Sequence, residues 1–159
     1  MAKAVFAGSF DPFHLGHLDI VEQAVPLFDE VMVLICENPT KQRKTDIHEI
    51  YSMIVDCCKK YPNVKVSFCS GLVADYCKNH GYDYLIRGLR NTSDYLYEEN
   101  VANINLSVNP DLKISYFRSR CNNISSTLVK ELLKHGKDVS MYLPEEARNN
   151  YCIFDWKNI

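Results

Sequence analysis

The chain predicts an α/β fold, an open, five-stranded, mostly parallel sheet with helices on both faces. Three observations predict it. Short apolar runs rich in Val, Ile, Phe and Tyr alternate with longer helix-compatible segments along the chain. These runs are nearly continuous in their apolar character, which suits strands covered on both sides. A glycine-bearing turn, Gly8-Ser9-Phe10-Asp11-Pro12-Phe13-His14-Leu15-Gly16-His17, follows the first run and leads into the first helical segment. That junction is where such folds hold phosphates.

Strands are expected at 4–7, 31–36, 64–69, 84–87 and 114–117. Helices are expected between and after them, at 18–28, 47–61, 72–80, 94–108 and 125–135. Strand–helix alternation with right-handed crossovers gives a Rossmann-like sheet whose strand carboxyl ends share one edge. The punctuation agrees. Asp46 and Glu49 have capping-box spacing, and Gly81 and Gly136 sit just past helical runs. Pro62 and Pro110 also follow helical runs, and Pro26 should kink or end the first helix. Pro144 suits the first position of a short C-terminal helix.

The 159 residues suit a single domain, 1–159, without an internal repeat or linker. A net charge of -2, from 18 basic and 20 acidic residues, gives no sign of a nucleic-acid or membrane surface. No apolar run approaches the roughly 20 residues needed to span a bilayer, and a cytoplasmic location is expected. Seven cysteines occur, at 36, 57, 58, 69, 77, 121 and 152, without a Cys-x-x-Cys pair. They read as reduced, mostly buried residues rather than a metal or disulfide framework. The apolar stretch at 153–156 reads as a docked chain end.

Four constellations follow predicted strands and so fall on one sheet edge. The first is His14 and His17 around Gly16, two imidazoles able to donate to phosphate oxygens. A structural capping histidine and a zinc pair are the competing readings, and no further ligand spacing supports zinc. The second is the basic loop Asn38-Pro39-Thr40-Lys41-Gln42-Arg43-Lys44, where Lys41 could neutralise a phosphate. The third is Arg87-Gly88-Leu89-Arg90, whose two guanidinium forks suit two anionic groups. The fourth is Asn122-Asn123-Ile124-Ser125-Ser126-Thr127, a run of hydroxyls opening a helix. No Walker-type phosphate loop and no nucleophile–base–acid triad is present, which favours phosphoryl or nucleotidyl transfer driven by positioning and charge stabilisation.

The first and last motifs resemble the two signatures of the nucleotidyltransferase superfamily. The Arg87–Arg90 block with Asp94, Tyr95, Tyr97 and Glu98, and the Asn38–Lys41 loop, resemble the bacterial phosphopantetheine adenylyltransferase family. The resemblance implies AMP transfer from ATP to 4′-phosphopantetheine, giving dephospho-coenzyme A and pyrophosphate by in-line attack without a covalent intermediate. It implies that His17 steadies the α-phosphate, Ser9 contacts both substrates and Lys41 holds the attacking phosphate. Arg87 would bind the acceptor phosphate and Val73 its pantetheine arm. Arg90 would bind ATP phosphates. Phe10, Gly88, Leu89, Glu98, Asn122, Asn123, Ile124, Ser125, Ser126 and Thr127 would line the ATP site. Mg²⁺ would accompany ATP, the assembly would be a homohexamer, and coenzyme A would act as a feedback ligand. Ser9 stands where members often have Thr, and the 119–123 loop looks shorter than theirs. A sister enzyme with another acceptor and a non-catalytic nucleotide-binding module are the competing readings.

Overall fold

A computed structural model describes residues 1–38, 40, 42–43 and 45–148. Lys41, Cys152 and the stretch at 153–156 lie outside the described residues. Five strands pair in the order β3-β2-β1-β4-β5. They are β1 (Lys3–Gly8), β2 (Glu30–Cys36), β3 (Val64–Cys69), β4 (Tyr84–Leu89) and β5 (Lys113–Arg118). Every pairing is parallel, so the sheet is wholly rather than mostly parallel. The carboxyl ends of all five strands therefore share one edge. β1 is central, and the chain leaves it in one direction for β2 and β3 before returning to its other side for β4. The boundary between β1 and β4 is the topological switch point, where an open α/β sheet leaves a crevice for ligand.

The helices are α1 (Leu15–Ala24), α2 (Ile47–Cys58), α3 (Val73–His80), α4 (Thr92–Val108) and α5 (Ser126–Lys134). The sequence periodicity places α1 three residues too late at its start, because His14 is its cap rather than part of a preceding loop. The helix stops at Ala24 because Pro26 cannot supply the next helical amide. Asp46 caps α2 by accepting from the His48 amide. Pro144 precedes a 3₁₀ turn at Glu145–Ala147, in place of the expected α-helix.

Two apolar layers hold the sheet. Ala4 and Phe6 of β1 face one layer, with Ile20 and Val21 of α1, Ile50 and Ile54 of α2, and Val129 and Leu133 of α5. Val5 and Ala7, one residue out of step, face the other, with Cys77 of α3 and Tyr82. This alternation on the central strand is the period-two geometry of a strand buried on both faces. Each fully buried Val, Leu, Ile or Phe contributes about 1.5–3 kcal/mol of burial free energy, which fixes the position of the strand ends.

Gly81 closes α3 at φ 74, in the left-handed region. Gly81→Ala should destabilise the protein by about 1–2 kcal/mol, the cost of a Cβ in that conformation. A lowered urea midpoint at unchanged slope checks this.

Candidate active site at the switch point

The turn after β1 builds the start of α1 from two imidazoles. His14 is the N-cap, and its Nδ1 accepts from the Gly16 amide at 3.0 Å. The His14 amide in turn donates to His17 Nδ1 at 3.2 Å. This is a reciprocal capping box in which histidine stands at both the cap and the third helical position. It needs Gly16: a Cβ there would stand 2.8 Å from the His14 ring. Each Nδ1 accepts from a main-chain amide, so neither carries a proton. Both rings are the neutral tautomer with the proton on Nε2.

The rings are fixed as well as neutral. His14 and His17 stack with centroids 3.7 Å apart. Phe13 stacks on His17 at 5.5 Å, and Phe10 meets it edge-on at 4.9 Å. Phe10 reaches this position from φ 47, a conformation rare outside glycine, which turns its side chain back into the core. Burial, aided by the Arg90 charge, lowers the His14 pKa from 6.5 to about 4. Burial also holds His17 well below its ordinary range, helped by His14, Arg90 and Arg87. At neutral pH the pair therefore supplies two oriented N–H donors without net charge.

The arginines are anchored. Arg87, on β4, donates from Nε and NH2 to the two carboxylate oxygens of Glu98, each at 2.8 Å. Its NH1 donates to the Ala7 carbonyl at 2.9 Å. The Glu98 carboxylate, expected beside ATP, is thus buried against Arg87. The pair ties α4 to the ends of β1 and β4 and leaves one N–H on each terminal nitrogen of Arg87. Arg90 follows β4 and is more open. Its Nε and NH2 donate to Asp94 at 2.9 and 3.2 Å. Gly88 and Leu89, which close β4, are half-buried.

At the start of α5 the three hydroxyls divide their work. Ser125 caps the helix by accepting from the Leu128 amide at 3.0 Å. Ser126 donates to the Pro12 carbonyl at 3.1 Å, joining α5 to the first turn. Thr127 is exposed, as are Ser9 and Asn123. Asn122 donates to the Arg90 carbonyl at 3.2 Å, so the last loop closes on the β4 loop. The side chains of Phe10 and Ile124 are buried in the core, leaving only main chain to face a ligand. Val73 begins α3 beside Cys36 and Cys69, on the other face of the sheet from His17.

Two buried carboxylates hold these loops: Asp11 lies inside the first motif without an assigned role there, and Asp19 lies outside all four. Asp11 accepts from the Thr45 amide at 3.2 Å, linking the first turn to the segment after β2. Asp19 accepts from the Arg120 amide at 2.7 Å, from Arg120 Nε at 2.7 Å and from the Ser119 hydroxyl at 3.3 Å. Burial pushes the Asp19 carboxyl up, but the two Arg120 bonds, one from Gln23 and the Arg120 charge together hold it below its ordinary range. The available signal was a lone carboxylate inside the apolar run Leu18-Asp19-Ile20.

Residues 5–132 match the cytidylyltransferase-like family. The chain is 41% identical over 143 residues to a phosphopantetheine adenylyltransferase of Cytophaga hutchinsonii, covering 89% of this chain and 95% of that protein. The chain belongs to the phosphopantetheine adenylyltransferase family. A solved structure from Vibrio parahaemolyticus, assigned as a nicotinate-nucleotide adenylyltransferase, superposes with a TM-score of 0.72 at 18% identity. It covers 98% of this chain and 95% of its own, and establishes the shared fold. The Ser126–Pro12 bond joins the imidazole turn to the start of α5.

The imidazole pair makes stability depend on pH. In the unfolded chain a histidine takes its proton near pH 6.5, whereas folded His14 resists until about pH 4. Between these values the unfolded state binds more protons, so stability rises with pH and is lost as pH falls below 6.5. Urea titrations from pH 7 down to pH 4.5 should show this loss. His14→Asn, which retains a cap acceptor, should reduce the slope by up to about one proton. An unchanged slope would contradict the assignment.

Proposed function

We propose that the chain transfers AMP from ATP to 4′-phosphopantetheine, giving dephospho-coenzyme A and pyrophosphate in coenzyme A synthesis. Membership of the phosphopantetheine adenylyltransferase family supports the substrates. The observation that carries the chemistry is the neutral imidazole pair at the switch point, with its Nδ1 atoms committed to main chain. An acceptor phosphate oxygen attacks the α-phosphorus of ATP in line, the bond to the β-phosphate oxygen breaks, and pyrophosphate leaves. Charge grows on the α-phosphate oxygens as the new bond forms. His17 meets that charge with a fixed Nε2–H. A donor already oriented by its cap and its aromatic neighbours needs no reorganisation at that moment.

The other roles follow the family motifs. Ser9, exposed at the end of β1, contacts the phosphates of both substrates. Lys41 holds the attacking phosphate. Arg87 binds the acceptor phosphate through its remaining N–H groups, and Arg90 exchanges part of its pairing with Asp94 for ATP phosphates. Gly88, Leu89, Asn122, Asn123 and the start of α5 line the ATP site, Glu98 fixes Arg87, and Val73 contacts the pantetheine arm. Mg²⁺ enters as MgATP. Asp94 and Glu98 are already committed to arginines, so the metal belongs with the nucleotide phosphates rather than a protein cage.

The apolar face of α4 supports assembly, with Leu96, Tyr97 and Ile104 each more than half exposed. We read this face as a contact between copies in a homohexamer. Coenzyme A shares the pantetheine arm with the acceptor and so competes for the acceptor's site as a feedback ligand. The reaction is placed in the cytoplasm, with residues 1–159 acting as one nucleotidyltransferase domain.

Pyrophosphate release from ATP should require 4′-phosphopantetheine and should not proceed with nicotinate mononucleotide or glycerol phosphate. Turnover with either of those and none with phosphopantetheine would overturn the substrate assignment. His17→Ala should cut kcat about a hundredfold or more while leaving ATP binding within a few-fold, the pattern of a lost transition-state donor. Near-normal kcat would remove His17 from this role.

A further inference from the structure

Cys36 and Cys69 end adjacent parallel strands and are register partners across the β2–β3 ladder. Register partners lie about 4.8 Å apart and present side chains to the same face, and a disulfide spans Cα separations of about 4.4–6.8 Å. Both residues are half-buried. They are followed by exposed chain, Glu37 and Asn38 on one side and Ser70, Gly71 and Leu72 on the other. Val73 and Tyr76 of α3 pack beside them.

We propose that Cys36 and Cys69 form a dithiol that closes to an intrachain disulfide by exchange with small-molecule disulfides.

The two thiols are chemically unequal. The S–H groups turn to the Leu34 and Gly71 carbonyls, and the interaction between the two thiols holds that of Cys69 below its ordinary range and, with burial, pushes that of Cys36 up. Cys69 is therefore the attacking group and Cys36 the resolving one. The other face-sharing thiol, Cys77, is buried and pushed up to about 12, as are Cys57 and Cys58. Among the described residues no cluster of three or more His, Cys, Asp or Glu is placed to hold a metal.

The exchange balances in two steps. The Cys69 thiolate attacks one sulfur of the small disulfide, whose S–S bond breaks and releases one thiolate. Cys36 then loses its proton and attacks Cys69 Sγ, expelling the second thiolate. Two protein thiols are oxidised to one disulfide, and the small disulfide is reduced to two thiols that take up the protons. The new bond would link the strand ends that carry the loop after β2 and the start of α3.

The test uses the full chain and oxidised glutathione, with alkylation and peptide mass spectrometry. Wild type should yield a peptide pair linked through Cys36 and Cys69. Cys36→Ser should stop at a glutathione adduct on Cys69, and Cys69→Ser should leave Cys36 unmodified. Cys121→Ser, at a half-buried thiol outside the pair, should react as wild type. Without oxidant, iodoacetamide should label Cys69 at least about tenfold faster than Cys57, Cys58 or Cys77. The wild-type peptide map decides the matter if a variant fails to fold. Absence of the Cys36–Cys69 linkage after equilibration, or adducts elsewhere with this pair untouched, would overturn the proposal.

Discussion

Two main-chain amides at the start of α1 are satisfied by histidine rings, and this exchange sets the chemistry of the site. An ordinary cap would use an Asp oxygen, which leaves no donor behind, or a Ser or Thr hydroxyl, whose remaining proton rotates freely. An imidazole accepts through Nδ1 and must then keep its remaining proton on Nε2. His14 and His17 cap each other's segment reciprocally, so one local device fixes the helix start and the protonation state of both rings. Protonating either Nδ1 would break the cap. Burial and the neighbouring positive charges oppose protonation from the other side.

The surrounding structure serves this arrangement. The two apolar layers on β1 hold the strand end, and Phe10 and Phe13 fold back around His17. The three remaining loops are attached by polar links. Asp11 reaches the segment after β2, Arg87 reaches the Ala7 carbonyl from β4, and Ser126 reaches Pro12 from α5. Asp19 adds a fourth link from α1 to the loop after β5. Each joins a charged or hydroxyl side chain to main chain or carboxylate. The loops can thus bear exposed anion-binding groups without losing their mutual register.

Much of this was legible in the residues. β3 was placed to the residue, because its ends are marked by Asn63 and by Ser70 and Gly71. The sheet edge followed from strand–helix alternation alone, whereas β4 runs two residues further than expected, so that Arg87, Gly88 and Leu89 belong to the strand and only Arg90 to the loop. The start of α1 was misplaced because its apolar run begins only at Leu18, although a capping histidine was one reading of the pair and His14 proves to be the cap. The division of labour among arginines was also hidden. Arg87 and Arg90 look equivalent in sequence, yet only the fold brings Glu98, one turn beyond Asp94 on α4, within reach of Arg87. Phe10 and Ile124 belong to the turn motifs, but their large apolar side chains pack into the core, Phe10 from a backbone conformation at φ 47 that the sequence does not announce. Asp19 gave almost no signal, since its partners are a hundred residues away in the chain.

The central claim is that both imidazoles are neutral with the proton on Nε2 at the pH where the enzyme works. Nitrogen-15 NMR of the ring atoms of His14 and His17 at pH 7 tests it directly. The account predicts, for each ring, an Nδ1 shift of the unprotonated, pyridine-like kind and an Nε2 shift of the protonated, pyrrole-like kind. A ring protonated on both nitrogens, or one with its single proton on Nδ1, would contradict it.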